Sequence, residues 1–128
     1  MYLPSSPTTP LRLSVLDQAP ISDGSTAAEA LRNTIDLARL ADELGFHRYW
    51  VAEHHGSPML AGASPEVLIG TTAATTTRIR VGSGGAWRPH DAQSRVAESF
   101  GICAGPCPNG ASAAPGRPAV AAGLASRT

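Results

Sequence analysis

The sequence predicts an α/β domain with a parallel sheet, and three features indicate this fold class. Short apolar segments recur at residues 11–16, 48–52 and 79–81, and stretches with apolar residues at helical spacing lie between them. Glycine and proline stand where the turns between these elements would fall. Strands joined through a helix pair in parallel by right-handed crossovers, so this chain of 128 residues is expected to form one such domain.

The first strand is predicted at residues 11–16, where large apolar side chains alternate with polar or smaller ones. It runs into a loop that contains Asp17, Pro20 and Gly24. Residues 1–10 are rich in proline, serine and threonine, so we expect them to form a flexible lead-in.

The first helix is predicted to begin at Thr26 and to end at Gly45. Thr26 and Glu29 have the spacing of a capping box, in which the hydroxyl and the carboxylate each accept a hydrogen bond from the other residue's amide. Gly45 supplies the left-handed residue that ends the helix. The face that we expect to be buried carries apolar residues at helical spacing: Leu31, Ile35, Ala38, Ala41 and Leu44.

A second strand, a second helix and a third strand follow in that order. Residues 48–52 are aromatic and β-branched with almost no polar interruption, which is typical of a strand covered on both faces. Ser64 as the cap and Pro65 at the first helical position start the second helix. The third strand is predicted at residues 79–81, and a third helix at residues 92–100.

Residues 101–128 differ in composition from the rest of the chain. Alanine, glycine and proline dominate this segment, and it contains no aromatic and no acidic residue. A segment with so few large apolar side chains has little to bury, so we expect it to be disordered.

Composition argues against several classes of partner. Ten arginines balance ten acidic residues, and the net charge of +0 leaves no basic stripe for nucleic acid. No apolar run is long enough to cross a bilayer and the first residues lack a signal-peptide pattern, so we expect a cytoplasmic location without membrane contact. Cys103 and Cys107 have no companions that would make a disulfide framework or a zinc site, and no metal is expected.

Polar groups collect at the carboxyl ends of the predicted strands, which is where parallel α/β folds bind their ligands. His54 and His55 follow the second strand, and a neutral imidazole exchanges protons with a bound reactant near pH 7. Glu53 is placed to fix a histidine tautomer. The alternative interpretation is a solvated loop, and adjacent side chains that point apart do not favour a shared metal ion.

A glycine-rich turn at residues 82–85 follows the third strand. Glycine lacks the Cβ atom that would keep a flat ring or a phosphate away from the backbone. The spacing matches neither of the glycine-rich nucleotide-binding fingerprints, so a tight bend without a ligand is the alternative interpretation.

Five blocks of the sequence resemble, in order, the N-terminal part of the bacterial luciferase-like, flavin-dependent monooxygenases. These blocks are residues 14–21 (SVLDQAPI), 38–46 (ARLADELGF), 49–55 (YWVAEHH), 63–70 (ASPEVLIG) and 78–85 (RIRVGSGG). The resemblance implies a (β/α)8 TIM barrel, of which residues 11–100 would supply the first three strand–helix units. It also implies that reduced FMN activates O2 on a small organic substrate.

The resemblance further implies roles for single residues. His54 matches a histidine that lies near the flavin and assists its oxygen chemistry, so it is the expected catalytic residue. The residues expected to contact the cofactor are Glu53, Ala19, Ser83, Gly84 and Gly85, with the two glycines against the ring system.

The sequence departs from the family pattern after Gly85 and the match stops after Phe100. Since a family barrel needs at least about 250 residues, we expect an incomplete barrel, in which residues 101–128 are a disordered or frameshifted tail. Two other functions stay open. One is deazaflavin-dependent hydride transfer on the same fold, and the other is a non-enzymatic fragment that acts as a homodimer or by association with a full-length homologue.

Overall fold

The computed structural model describes residues 10–84, residues 98 and 102, and the backbone of residues 111–113. The predicted lead-in and the predicted third helix lie outside this part of the chain, apart from Pro10 and from Glu98, which is helical. Most of the segment 101–128 also lies outside the described residues.

From β1 to β3 the described elements alternate strand and helix, as predicted. They are β1 (Ser14–Asp17), α1 (Ala27–Glu43), β2 (Arg48–Val51), α2 (Pro65–Ala74), β3 (Arg80–Ser83) and β4 (Ala111–Ala113). The sheet order is β1-β2-β3-β4, and each neighbouring pair is parallel. The predicted α/β class is therefore confirmed. The sequence pattern does not predict β4, because its three residues have neither large nor β-branched side chains.

The capping box of α1 is confirmed. The Glu29 amide donates to the Thr26 hydroxyl at 3.2 Å, and the Thr26 amide donates to the Glu29 carboxylate at 2.9 Å. The hydrogen bond from the Thr26 amide, with help from nearby hydroxyls, lowers the pKa of Glu29. At the other end Leu44 is the C-cap, and Gly45 has a φ of +78°, as the predicted left-handed stop requires.

Removing the N-cap side chain of α1 is expected to destabilise the protein, whereas removing that of α2 is expected to have little effect on stability. Thr26→Ala deletes a hydrogen-bonded cap and should lower the free energy of unfolding by about 1 kcal/mol. Ser64, the N-cap of α2, makes no side-chain capping hydrogen bond, so Ser64→Ala is the matched control and should change little. Urea unfolding followed by circular dichroism measures both. Equal losses in the two variants would contradict this assignment.

The buried face of α1 matches the predicted one only in part. Ala38 and Ala41 are buried and Leu31 and Ile35 are partly buried, as expected. Its buried residues include Ala30, Thr34, Ala38 and Ala41, whereas Leu44 is 67% exposed. Small side chains, Ala30 and Thr34 among them, turn toward the core, whereas Leu37, Leu40 and Leu44 are exposed. The periodicity identified the helix correctly, but side-chain size did not identify the residues at the centre of its interface.

One face of the sheet is covered by the helices. Tyr49, Val51 and Val81 point to this side and form the core with Ile69 and residues from α1 and α2. On the opposite face Leu16 is 59% exposed and Trp50 is partly exposed. The expectation that β2 is covered on both faces is therefore wrong for the described part of the chain, because no described element packs on the second face.

The third strand extends further than predicted. Gly82 and Ser83 were expected to form a turn, but they pair in register with Trp50 and Val51 of β2. Backbone pairing to the neighbouring strand outweighs the low strand propensity of glycine. The break therefore falls later, at Gly84, whose amide still donates to the carbonyl of Val51 at 2.8 Å.

At the opposite end of the sheet, Asp42 joins the last turn of α1 to the segment before β3. Its carboxylate accepts hydrogen bonds from the amides of Thr77 (2.6 Å), Arg78 (3.0 Å) and Ile79 (2.7 Å), and from the Thr77 hydroxyl at 3.0 Å. Burial works to raise the pKa of Asp42, but these hydrogen bonds outweigh it, so the net pKa lies below its usual value.

Candidate active site

The carboxyl ends of β1, β2 and β3 lie side by side and carry the sequence-predicted site residues. The Ala52 amide donates to the Asp17 carbonyl at 2.8 Å, and the Gly84 amide donates to the Val51 carbonyl at 2.8 Å. The residues after the three strands are thereby brought to one edge of the sheet. The sequence-based expectation that these loops share an edge is met for the described residues.

His54 lies just past the end of β2 and its backbone is held in place. Its amide donates to the carbonyl of Gly62 at 2.9 Å. The ring atom Nδ1 is buried and has no hydrogen-bond partner among the described residues. Leaving such an atom without a partner costs free energy, so a ligand group or a water molecule belongs next to it.

Glu53 and His55 form a pair beside His54. The Nε2 atom of His55 lies 2.7 Å from a carboxylate oxygen of Glu53. The Glu53 side chain is only 11% exposed, whereas that of His55 is 57% exposed. Glu53 therefore orients the outer histidine, and this contact does not fix the tautomer of His54.

Ala19 is buried and has an unusual backbone conformation. Its φ is +49°, in the left-handed region that residues with a side chain rarely adopt. Its amide donates to the carboxylate of Asp17 at 2.8 Å, and its carbonyl accepts from the amide of Ala61 at 2.9 Å. Ala19 therefore joins the loop after β1 to the loop after β2.

The glycine-rich segment contributes backbone to this edge. Gly84 is exposed, and a Cβ atom added to it would lie 2.9 Å from a terminal methyl group of Leu16. Ser83 is almost fully buried, and it lies level with Val51, whose side chain is in the core. Gly85 lies outside the described residues.

Sequence reasoning missed two parts of this arrangement. One is the carbonyl of Gly62, a residue that no motif singled out and that lies close to Ala19 in a tightly packed loop. The other is the buried hydrogen bond from the Tyr49 hydroxyl to the Asp17 carboxylate, 2.7 Å long. The only sequence signal for this pair is an acidic residue at the end of an apolar strand, which does not identify its partner 32 residues later.

Burial raises the pKa of the Tyr49 hydroxyl, and the hydrogen bond to the neighbouring carboxylate raises it further. The neutral Tyr49 hydroxyl is therefore the donor in its hydrogen bond to the Asp17 carboxylate. The same oxygen lies 3.0 Å from the carbonyl of Thr34 in α1.

Two general features of the described residues bear on the kind of site. No three His, Cys, Asp or Glu side chains among them come together in an arrangement that would bind a metal ion. In this part of the chain, neither helix has the length and apolar character that spanning a bilayer requires.

Comparison with known proteins identifies the family to which the chain belongs. The profile of the luciferase-like monooxygenase family matches residues 11–102, so the chain belongs to that family. It is 51% identical over 90 residues to the N-acetyl-S-alkylcysteine monooxygenase of Bacillus subtilis, and 50% identical over 91 residues to a luciferase-like monooxygenase of Escherichia coli K12. These matches cover 70% and 71% of this chain but only 27% of each relative.

Solved structures place the fold within the same family. The apo form of MsnO8 superposes with a TM-score of 0.80 and 45% identity, over 84% of this chain and 32% of that one. The oxygenating constituent of 3,6-diketocamphane monooxygenase from Pseudomonas putida, solved with FMN, gives a TM-score of 0.67 and 22% identity, over 73% and 26% of the two chains. The described elements are thus part of a luciferase-like (β/α)8 barrel, and they leave that barrel incomplete.

The structural neighbours differ in cofactor. Besides the FMN-bound monooxygenase, they include a coenzyme F420-dependent tetrahydromethanopterin reductase from Methanopyrus kandleri, with a TM-score of 0.54 and 16% identity over 79% of this chain and 25% of that one. At this level of identity, the similarity to the reductase concerns the fold and not the function.

Proposed function

We propose that this chain carries the N-terminal part of the active site of a flavin-dependent monooxygenase, which uses reduced FMN and O2 on a small organic substrate. The observation that carries this proposal is the buried, unpartnered Nδ1 atom of His54 at the carboxyl edge of the sheet. Membership of the luciferase-like family supplies the reaction class.

The described residues fit a flat ring with polar edges. His54 offers a ring nitrogen that lacks a partner, and Gly84 offers exposed backbone without a Cβ atom. In this proposal the exposed backbone of Gly84 meets the ring system, Ala19 and Ser83 support that edge from the buried side, and the polar wall of the site includes Glu53.

The chemistry proposed for His54 is proton exchange. An imidazole serves both as a proton donor and as a proton acceptor, and the hydrogen bond from the His54 amide to Gly62 holds the backbone that carries the ring. When bound, reduced flavin supplies the electrons that activate O2. The protein's task is to bind the ring, to orient it and to hold or deliver a proton at Nδ1 of His54.

An anaerobic titration of the purified chain with oxidised and reduced FMN tests this proposal, followed by flavin absorbance and fluorescence. We expect saturable binding, and His54→Ala should weaken it about tenfold through loss of one hydrogen bond to a buried group. His55→Ala is the matched control, because this neighbouring side chain is exposed and faces Glu53 instead. Equal weakening by both variants, or no binding by the folded chain, would contradict the proposal.

The same titration with a reduced deazaflavin separates the two cofactor classes. Preferential, His54-dependent binding of the deazaflavin would replace the monooxygenase proposal with a hydride-transfer function. FMN binding with no deazaflavin binding is the expected result.

One face of the sheet is covered by no described element, which favours a second candidate function in which the chain acts by association with another chain. Leu16 and Trp50 leave apolar surface on this face, and β1 is an edge strand of the sheet. Sedimentation velocity over a range of concentrations, with and without a full-length homologue, measures this association. A concentration-dependent rise in mass without flavin uptake would favour a non-enzymatic homodimer or hetero-complex.

A further inference from the structure

A buried carboxylate ties the loop after β1 to strand β2, and backbone hydrogen bonds join that loop to the loop after β2. Asp17 is 6% exposed, and each of its two oxygens accepts one hydrogen bond. Oδ1 accepts from the amide of Ala19 at 2.8 Å, and Oδ2 accepts from the Tyr49 hydroxyl at 2.7 Å. One end of the loop after β1 is thereby tied to the core residue Tyr49, which is fully buried in β2.

The bond from Ala19 to Asp17 holds a conformation that alanine does not favour. With a φ of +49°, Ala19 turns its carbonyl toward the loop after β2, where the Ala61 amide donates to it at 2.9 Å. Two residues further on, the Ile21 amide donates to the Met59 carbonyl at 2.8 Å. The two loops therefore form a short antiparallel pair, with its bridge at Pro20 and Leu60.

The loop after β2, which forms one half of this pair, is hydrogen-bonded to the proposed catalytic residue His54. Gly62 follows Ala61 directly, and its carbonyl accepts the hydrogen bond from the His54 amide at 2.9 Å. A continuous series of hydrogen bonds and peptide units thus runs from the Tyr49 hydroxyl through Asp17 and Ala19 to His54.

We propose that Asp17 and Tyr49 are positioning residues, which hold Ala19 in its left-handed conformation and thereby fix the backbone that aims His54. The role in flavin chemistry rests on the function proposed above, whereas the fastening of the two loops does not. Neither side chain touches the proposed reactants, since both are buried at the end of the core. Their effect is transmitted through the loop pair.

Amide hydrogen exchange of the full chain, read residue by residue by NMR, tests the fastening directly. Tyr49→Phe keeps the packed ring but removes the donor to Asp17. Protection of the Ala61 and His54 amides should fall about tenfold, the equivalent of one lost buried hydrogen bond. Protection of core amides such as that of Val81 should fall much less. A uniform fall across loop and core would show a merely structural role and overturn the proposal.

Conservative replacement should rescue the fastening. In Asp17→Asn the remaining side-chain oxygen still accepts the hydrogen bond from the Ala19 amide. The new side-chain NH2 group donates to the Tyr49 oxygen. The Tyr49 hydroxyl in turn donates to the Thr34 carbonyl, 3.0 Å away. Loop protection in this variant should stay within about threefold of wild type, whereas Asp17→Ala should lose about tenfold or more. Equal losses in the two variants would overturn the proposal.

A second substitution tests the role of the strained residue. Glycine adopts a positive φ readily, so Ala19→Gly added to Asp17→Ala should recover part of the lost loop protection. Ala19→Gly alone is the control. No recovery in the double variant would count against the fastening. If Asp17→Ala does not fold, Tyr49→Phe and Asp17→Asn still decide the outcome.

The flavin titration supplies the independent readout. Asp17→Ala should weaken FMN binding about tenfold while Asp17→Asn leaves it nearly unchanged, in parallel with loop protection. Loss of loop protection without any change in FMN affinity would overturn the positioning role. Absence of FMN binding by wild type would overturn the proposed function, and the exchange results would still decide whether the loops are fastened by Asp17.

Discussion

Replacing Asp42 with alanine is expected to lower the free energy of unfolding by about 3 kcal/mol or more, because three backbone amides lose their acceptor at once. Those amides belong to consecutive residues, Thr77, Arg78 and Ile79, that lead into β3. Without the carboxylate, the end of α1 is no longer tied to the central sheet.

Asn at this position should be almost as damaging. Each carboxylate oxygen of Asp42 accepts two hydrogen bonds. In Asn one of these oxygens is replaced by an NH2 group, which is a donor and would face two N–H or O–H donors of the protein. Glu43→Ala is the matched control, because the adjacent carboxylate is exposed. Denaturant unfolding of the full chain measures all three variants, and an Asp42→Asn variant as stable as wild type would contradict this account.

The same group makes stability depend on pH. The pKa of Asp42 is lower in the folded than in the unfolded protein, so its contribution to stability is fully present above the unfolded value of about 4. This contribution is lost as the pH falls through the folded pKa. The stability difference between wild type and Asp42→Asn should therefore shrink as the pH is lowered from about 5 toward 2. A constant difference over this range would be inconsistent with the ionised clamp.

The second large effect is expected at Ile69, whose side chain is fully buried between α2 and the sheet. Ile69→Ala removes three carbon atoms from the core and should cost about 2–5 kcal/mol, because a cavity remains where the side chain was. Val67 lies two residues away on the same helix and is 68% exposed, so Val67→Ala is the matched control and should cost far less. Thermal unfolding of both variants measures the difference, and similar losses would show that α2 packs in another orientation.

The order and type of the main elements followed from local pattern. The hydroxyl and carboxylate of Thr26 and Glu29 identify the start of α1 without any tertiary information, and Gly45 identifies its end. The parallel pairing of β1, β2 and β3 follows from strands joined by helices, so the shared edge that carries Ala19 and His54 was also predictable.

Local pattern failed where neighbours decide the outcome. Gly82 and Ser83 have turn-like character, but pairing with β2 makes them strand. The exposure of Leu44 and the burial of Thr34 depend on how α1 packs in the folded protein, which the periodicity of the sequence does not specify.

The sequence by itself determined the α/β class, the capped first helix, the family and the presence of His54 at a strand end. Only the tertiary structure decided that Nδ1 of His54 has no hydrogen-bond partner among the described residues, that Glu53 pairs with His55, and that Asp17 accepts hydrogen bonds from both Ala19 and Tyr49. The physical reason is the separation along the sequence of the residues that interact. Caps, turns and periodicity act between residues a few positions apart, whereas these contacts depend on side chains that folding brings together and on the directions in which their atoms point.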